Sequence, residues 1–581
     1  MLCFNNVSPQ ILGNAAWAVA NVLRGVVRPD RLALASNLAV YMLYKASLMG
    51  KEAKYSDFGS GKIKTAGNVQ LLIPHLIDEA LWERLLPLSQ QFKPEVFACL
   101  LLTDESDENP WLVINGDIAT PRTLSDLAVN LLHVADGDAL IDLGCGDGNV
   151  LFALMRKDVA AQYYGYEISA DCADIAAARL DVSEMKGHIQ QCDFFVLPES
   201  SSKKMLPKEA SRKVFSNFPF GVMLPTDSTP FLTELRDEFP ALGRVGTSDW
   251  AYCELICRLM GEKGRGIGIL LNGSISNANS APIRKWFLER GLIECVVALP
   301  GKLFGMTAVS CTLVIFSHGN KSVRFVDAEK IHSVGRRRNL FSAKDIAKIV
   351  ALVDKGGEGC CDVDVENLLG KTCLLNPAQY TESSEDDGIP FDDIIKKSSR
   401  GAPCTASDLD RMSSPTPTDM QYLMLANVKN GVVSDNLPYL GTLDRSLEKY
   451  CIKDNSLILS KNGYPYKVAV VNVPAGKKIL ANGNLFVLEL DESKADPLYV
   501  KAYFESNRGT AALKRITSGS TIPTISIDLL RKVRIPLPSL SEQKTFVKRY
   551  QKKADAVAEL RARLDSAVAE LGSMFDAEAG A

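Results

Sequence analysis

Ala139-Leu140-Ile141-Asp142-Leu143-Gly144-Cys145-Gly146-Asp147-Gly148 is the stretch on which the reading of this chain turns. An apolar run of strand length carries an acid near its end, and glycines follow at alternate positions. Glycine suits a backbone that must turn sharply and approach a ligand, because it has no Cβ to stand in the way. The dinucleotide fingerprint would need its third glycine at position 149, which is Asn149. A second acid, Glu167, closes the run Tyr163-Tyr-Gly-Tyr-Glu167 about 20 residues on, where an acid accepts both hydroxyls of a ribose. A third, Asp193, follows Gln191-Cys192 at the next strand end. Three strand-end acids in register with one glycine loop outweigh an incidental tight turn.

Around this stretch, short apolar runs at residues 139–143, 163–166, 214–215, 266–271, 295–299 and 311–316 alternate with amphipathic helical segments. That alternation predicts an α/β fold with βαβ units on a mostly parallel sheet. The preceding residues read as helical. Ile11, Ala15, Val19 and Val22, then Leu32, Leu38, Tyr41 and Leu43, keep helical spacing on either side of Pro29, and residues 68–86 repeat the pattern. After Ala328 the alternation fades towards an acidic, Gly- and Ser-containing stretch, Glu382 to Gly388, that reads as a linker. Beyond Pro390, short β-like runs are punctuated by Asn430-Gly431, Asn462-Gly463 and Asn482-Gly483. From Ser541 to Phe575, Val557, Leu560, Leu564, Ala567, Leu571 and Met574 step by three and four, a heptad seam that needs a partner helix. The predicted divisions are a helical domain at 1–105, an α/β domain at 106–384, a third domain at 385–540 and a coiled-coil helix at 541–581.

Bulk composition agrees with several globular domains. The 581 residues are 46% hydrophobic and 23% charged, with net charge -3, so no global basic field draws the chain to nucleic acid. Between Pro390 and Leu540, however, 20 Lys/Arg face 15 Asp/Glu, a locally basic segment. The 14 cysteines show no C-x-x-C pair and there are only 5 histidines, so neither a disulfide framework nor a metal site is expected. The N-terminus lacks the pattern of a secretory signal, and no apolar run has the length of a membrane span. A cytoplasmic protein with no membrane partner is expected.

The pattern D-x-G-x-G-x-G at Asp142, Gly144, Gly146 and Gly148 resembles the S-adenosylmethionine loop of class I methyltransferases. Val214-Phe-Ser-Asn217-Phe218-Pro219-Phe220-Gly221 then resembles the Asn-Pro-Pro-(Phe/Tyr) signature of amino-group methyltransferases, which modify adenine in DNA, guanine in RNA or glutamine in protein. An exocyclic amine on an aromatic ring is a poor nucleophile because its lone pair is delocalised. The Asn217 oxygen and the next carbonyl can accept its two hydrogens, turning the lone pair towards the methyl donor without a strong base. Phe220 would stack on a base swung out of the duplex. Phe218 stands where the signature has its first proline, so the carbonyl remains but proline's fixed φ is lost.

Gly116-Asp-Ile118-Ala-Thr120-Pro121-Arg122 resembles a segment of Type I restriction-modification modification subunits that closes over the methionine end of the cofactor, which implies such a role for Thr120 and Pro121. Ile118 replaces that segment's aromatic residue. Ile283-Arg284-Lys-Trp-Phe-Leu and Val297-Ala-Leu299-Pro300-Gly-Lys-Leu-Phe304 resemble late strands of the same subunits. Phe304 reads equally well as a second aromatic wall for the base or as a core phenylalanine. The resemblance extends to Asn376-Pro377-Ala-Gln-Tyr380.

After Gly388, the segments at Tyr422–Gly431, Asn455–Gly463 and Thr521-Ile-Pro523 with Ile535–Gln543 resemble one target-recognition module of a Type I specificity subunit. Such modules read DNA in the major groove, which makes Lys461, Lys467, Arg508, Lys514 and Arg515 candidate DNA contacts or solvated surface charges. Arg336-Arg337-Arg338 reads either as a phosphate contact or as a loop cap. The resemblance implies an adenine-N6 DNA methyltransferase using S-adenosylmethionine on double-stranded DNA, fused to its own reader and paired with a second copy through the C-terminal helix. RNA or protein glutamine as substrate, and a silent DNA-recognition subunit, are the competing readings. No G-x-x-x-x-G-K-(S/T) loop is present, so translocation or restriction would belong to another subunit.

Overall fold

The run Ala139–Leu143 is buried at all five positions, as a central strand covered on both faces must be. It belongs to a computed structural model that describes residues 7–49, 53–102, 119–193, 195, 211–226, 229–240, 242–244, 246–304, 310–335, 338–370, 373–381, 388–518 and 523–579. Gly116 to Ile118, Arg336, Arg337, the linker residues 382–387 and Thr521 lie outside the described residues. The chain divides into two compact units, Met1–Thr381 and Glu382–Ala581.

In the first unit the main sheet comprises β1 (Ala139–Leu143), β2 (Gln162–Glu167), β3 (Gly187–Gln191), β4 (Arg212–Ser216), β5 (Arg265–Leu271), β6 (Ile293–Ala298), β7 (Cys311–Phe316), β8 (Ser322–Asp327) and β9 (Cys360–Asp364). Their order across the sheet is β9-β8-β6-β7-β5-β4-β1-β2-β3. From β3 to β5 every pairing is parallel. The sheet as a whole is mixed, because β7 runs antiparallel to both β5 and β6, and β9 antiparallel to β8. No helix is described between β6 and β7, and a strand reached without a helical crossover returns antiparallel. The chain leaves β1 towards β2 and β3, then re-enters on β1's other side as β4. That reversal opens a crevice at the carboxyl ends of β1 and β4, the usual ligand position in such sheets.

The helices Pro9–Leu23 and Leu32–Leu48 are separated by a short turn at Pro29–Arg31. With Val69–Leu76, Glu79–Leu85 and Pro94–Leu101 they form a bundle whose core includes Leu38, Tyr41, Trp82 and Phe97. The same core takes in Ile175, Ala178 and Val182 from the helix Ala170–Ser183, so the bundle is continuous with the α/β layer. Arg179 is the polar centre of this junction. Its guanidinium is 2% exposed and donates to the Leu101 carbonyl at 3.1 Å, Asn37 Oδ1 at 3.1 Å and the Asp147 carbonyl at 2.7 Å, and it pairs with the Asp147 carboxylate at 2.7 Å. Asp147 lies in the glycine loop, so one buried cation holds bundle and loop together.

The second unit is built on an antiparallel sheet of Ile395–Arg400, Leu485–Leu490, Ser456–Ser460 and Val468–Val471. Asn430 and Gly431 both have positive φ (52° and 75°), the conformation a two-residue hairpin demands. The helix Leu540–Ala579 starts from a buried root. Gln543 is fully enclosed, accepting from the Asp496 amide and donating to the Lys494 and Pro538 carbonyls. Further along, Val557, Leu560, Leu564 and Leu571 are all exposed, at 46–68%, so no described residue covers the seam.

Arg179→Met strands the Asp147 carboxylate in the interior. Urea denaturation is expected to show a loss of about 3–5 kcal/mol, as for other broken buried pairs.

Candidate active site

The loop after β1 carries positive φ at Gly144 (76°), Gly146 (55°) and Gly148 (93°). At Gly144 a Cβ would meet nothing within 4 Å, so conformation, and no protein neighbour, requires glycine there. Gly148 caps the helix Asn149–Lys157, whose first amides face the crevice end of the sheet. The Ser216 hydroxyl, at the end of β4, donates to the Leu143 carbonyl at 2.7 Å and is fully buried. This bond joins the residue before Gly144 to the residue before Asn217. The glycine loop and the Asn217 loop thus leave the sheet side by side.

Of the three acids, Asp142 is 1% exposed and accepts the Tyr163 hydroxyl at 2.7 Å. Burial pushes its carboxyl up to about 7 against the lowering effect of the Tyr163 bond, and the nearby Glu167 charge adds to the rise. Glu167 accepts from the Gly146 amide at 2.9 Å through Oε2 and from the Ser169 amide at 2.8 Å through Oε1, which pins the glycine loop to the end of β2. Each of its oxygens keeps a further lone pair. Asp193, partly exposed just past β3, accepts the Phe195 amide at 2.9 Å.

Asn217 follows β4 directly. Its Nδ2 donates to Thr120 Oγ1 at 3.1 Å, while its Oδ1 is buried and has no hydrogen-bond partner. A buried amide oxygen left open is costly unless a ligand donates to it. Pro121 caps the helix Arg122–Leu131, and Thr120 sits immediately before it. Pro219 is exposed and Phe220 half-buried. Phe304 is 5% exposed and meets Phe220 edge-to-face at 5.9 Å and 86°. It stands behind Phe220 as a core support. Phe218 is buried and stacked on Tyr252.

Sequence reasoning did not single out Ser216, Tyr163, Arg179 or Tyr252, whose partners are distant in the chain. It also passed over Ile168, an apolar side chain 65% exposed directly after Glu167. That exposure beside a strand-end acid is invisible before the fold is known.

In the second unit, Lys461 and Lys467 flank the loop between Ser456–Ser460 and Val468–Val471. Lys467 Nζ donates to the Leu425 carbonyl at 2.9 Å, which ties it to the fold. Partial burial and the nearby Arg400 hold the Lys461 ammonium below its ordinary range. Arg508, Lys514 and Arg515 share the helix Asn507–Arg515, and the Tyr466 and Thr517 hydroxyls, 2.9 Å apart, join the end of that helix to the Lys461 loop.

This arrangement of sheet and glycine loop defines a class I methyltransferase fold, with Asn217 at the end of the neighbouring strand. Residues 113–388 match the N-6 DNA Methylase family, and residues 430–565 match the Type I restriction modification DNA specificity domain. The chain therefore carries an N-6 DNA methylase domain and a Type I specificity domain in one polypeptide. It is similar to the Type I restriction enzyme HindI methylase subunit of Haemophilus influenzae, 27% identical over 306 residues that cover 48% of this chain and 66% of that one. Similarity to the MjaVIII methylase subunit of Methanocaldococcus jannaschii is 24% over 293 residues, covering 47% of this chain and 50% of the relative. The chain thus spans about half to two thirds of the length of these relatives. A solved methyltransferase subunit of a Type I system from Streptococcus thermophilus aligns with TM-score 0.49 and 17% identity, over 65% of this chain and all of that one.

With its folded value raised to about 7, Asp142 favours the native state in its protonated form. That stability is present below about pH 4 and lost as pH rises through about 7. Asp142→Asn removes the titration while keeping an acceptor for Tyr163. The melting temperature of the wild type is therefore expected to fall relative to the variant between those pH values.

Proposed function

We propose that this chain is a site-specific DNA methyltransferase acting on the N6 amino group of an adenine turned out of the duplex, with S-adenosylmethionine as methyl donor. The observation that carries the reading is Asn217 Oδ1, a buried acceptor without a partner, beside the glycine loop. The family match over the same residues supports adenine N6 as the acceptor.

The residues present suit that cofactor. The left-handed glycines and the helix N-terminus offer a backbone cradle, and Glu167 keeps lone pairs for the ribose hydroxyls. Asp193 can accept from the adenine amine, and Ile168 presents an apolar surface to the ring. S-adenosylmethionine, when bound, supplies an electrophilic methyl group on a sulfonium.

Every other contribution belongs to the protein. With Thr120 Oγ1 accepting from Asn217 Nδ2, Oδ1 is the amide atom left for the acceptor amine. Asn217 Oδ1 then accepts one hydrogen of the target amine, and the Phe218 carbonyl accepts the other. Drawing both hydrogens out of the ring plane to one side pyramidalises the nitrogen and orients its lone pair towards the other. Phe220, backed by Phe304, offers a face for the purine. Pro219 fixes φ between the two functional residues.

The second unit serves as the reader. Lys461, Arg508, Lys514 and Arg515 contact phosphates and set its register on DNA. Lys467 supports the loop from behind. A second copy of the chain covers the exposed seam of Leu540–Ala579, so that two readers address two half-sites.

Asn217→Ala is expected to cut methyl transfer from labelled S-adenosylmethionine into DNA by on the order of 10²–10³-fold. Calorimetry should find the affinity for the cofactor unchanged; lost binding would contradict the acceptor role. Leu560→Lys combined with Leu564→Lys is expected to yield monomers by light scattering, and an intact dimer would place the interface elsewhere.

A further inference from the structure

Residue 218 is where the signature has proline and this chain has phenylalanine. The carbonyl of that residue must point at one hydrogen of the acceptor amine, and proline would help by fixing φ. Something else must hold the backbone here.

The Phe218 ring is 1% exposed and lies nearly parallel to that of Tyr252, with centroids 4.6 Å apart and planes at 11°. On another side a Cβ placed on Gly268 of β5 would lie 3.5 Å from the Phe218 ring, an ordinary contact distance, so the ring packs against the sheet there. Tyr252 is itself held. It meets Phe195 edge-on at 4.6 Å and 69°, and Phe195 stacks on Phe231 at 6.1 Å and 12°. The Phe195 amide is the one that Asp193 accepts. Tyr252 belongs to the helix Asp249–Met260, whose first residue is a buried carboxylate bonded to Ser274 Oγ at 2.5 Å. A ring wedged between tyrosine and sheet can neither rotate about χ1 nor let its Cα–Cβ bond swing, and the main chain of the residue is fixed with it.

We propose that Tyr252 is a positioning residue for methyl transfer, its ring doing for Phe218 what pyrrolidine closure does for proline. The proposal rests on reading residues 217–220 as the acceptor site. It adds that the departure at position 218 is matched by a packing partner one helix away. Tyr252 touches neither methyl donor nor base, and its effect is on turnover. Its hydroxyl is dispensable on this account and its aromatic ring is not.

The test uses the full-length protein and a steady-state assay of methyl transfer to DNA, with cofactor affinity and melting temperature measured on every variant. Tyr252→Phe should keep kcat within about twofold. Tyr252→Leu fills much of the volume without the stack and should lower kcat by ~10- to 100-fold, the scale of a small misplacement of a reacting group. Its affinity for S-adenosylmethionine should stay the same. In a Phe218→Pro background the same leucine substitution should cost less than about threefold, because the ring of proline now fixes φ. Wild-type kcat in Tyr252→Leu would overturn the proposal, as would equal losses in the two backgrounds. If Phe218→Pro transfers too little methyl to compare, the split between Tyr252→Phe and Tyr252→Leu decides alone. A wild-type protein that transfers no methyl to any DNA, or an Asn217→Ala variant as active as wild type, would instead remove the acceptor-site reading on which the proposal stands.

Discussion

The bond from the Ser216 hydroxyl to the Leu143 carbonyl fixes the geometry on which the candidate site depends. β1 and β4 are parallel neighbours, so their ends already lie at the same level of the sheet. A loop leaving a strand end is free to bend either way, and here the two loops have different chemistry. The glycine loop offers amides and open backbone, while the Asn217 loop offers a buried amide oxygen without a partner. A side chain that spans the two strand ends at their last residues holds both exits in one plane. Being fully buried, the bond has no water to compete with it. The glycine loop and the Asn217 loop, proposed above as cofactor cradle and acceptor motif, are thus brought together by the sheet itself.

Around that frame, charge is arranged by burial. Asp142 looks from the chain like the principal anion of the site, yet it is deeply enclosed and bonded to Tyr163. Its raised proton affinity follows from the cost of keeping a charge away from water, with the charge of Glu167 working in the same direction. Glu167 remains the acid that grips the loop directly, since each of its oxygens already receives a main-chain amide. The two carboxylates therefore divide the work. One is bonded to the Tyr163 hydroxyl and the other to the Gly146 amide of the loop itself. Arg179 adds the third fixed point by holding Asp147 from the side of the helical bundle.

Much of this was legible in the chain because periodicity and glycine spacing are local properties. The six apolar runs at 139–316 all fall on strands, and Pro29 marks the break between the first two helices. β3, β8 and β9 were not among those runs, and β3 was marked only by the acid beyond its end. β3, Gly-His-Ile-Gln-Gln, is a half-exposed edge strand and lacks the apolar signature of a buried one, while β8 interleaves Ser322, Arg324 and Asp327 with its buried residues. The direction of β7 was equally hidden, because strand polarity depends on the connection and not on the residues within the strand. In the site, the acids, glycines and Asn217 could be found by type and order. What could not be found were the second partners: Tyr163 under Asp142, Ser216 across to Leu143, Thr120 on Asn217. Each joins segments that the chain separates by 21 to 97 residues, and no spacing rule announces such pairs.

Phe218 shows why the distinction matters. Read along the chain, it is a lapse in a signature and an argument against catalysis. In the fold it is a buried ring with a parallel neighbour on one side and a glycine of β5 on another. A motif records only one way of meeting a geometric requirement, namely a fixed carbonyl after Asn217. Proline meets it covalently within one residue. Phenylalanine can meet it by packing, but only where the surroundings supply a rigid wall, and a column running from Phe218 through Tyr252 and Phe195 to Phe231 is such a wall. The same column includes Phe195, whose amide Asp193 accepts, so the segment Asn217–Phe220 and the third acid share a single rigid support. Restraint lost from the backbone at one position is thus recovered from side chains contributed by three other segments.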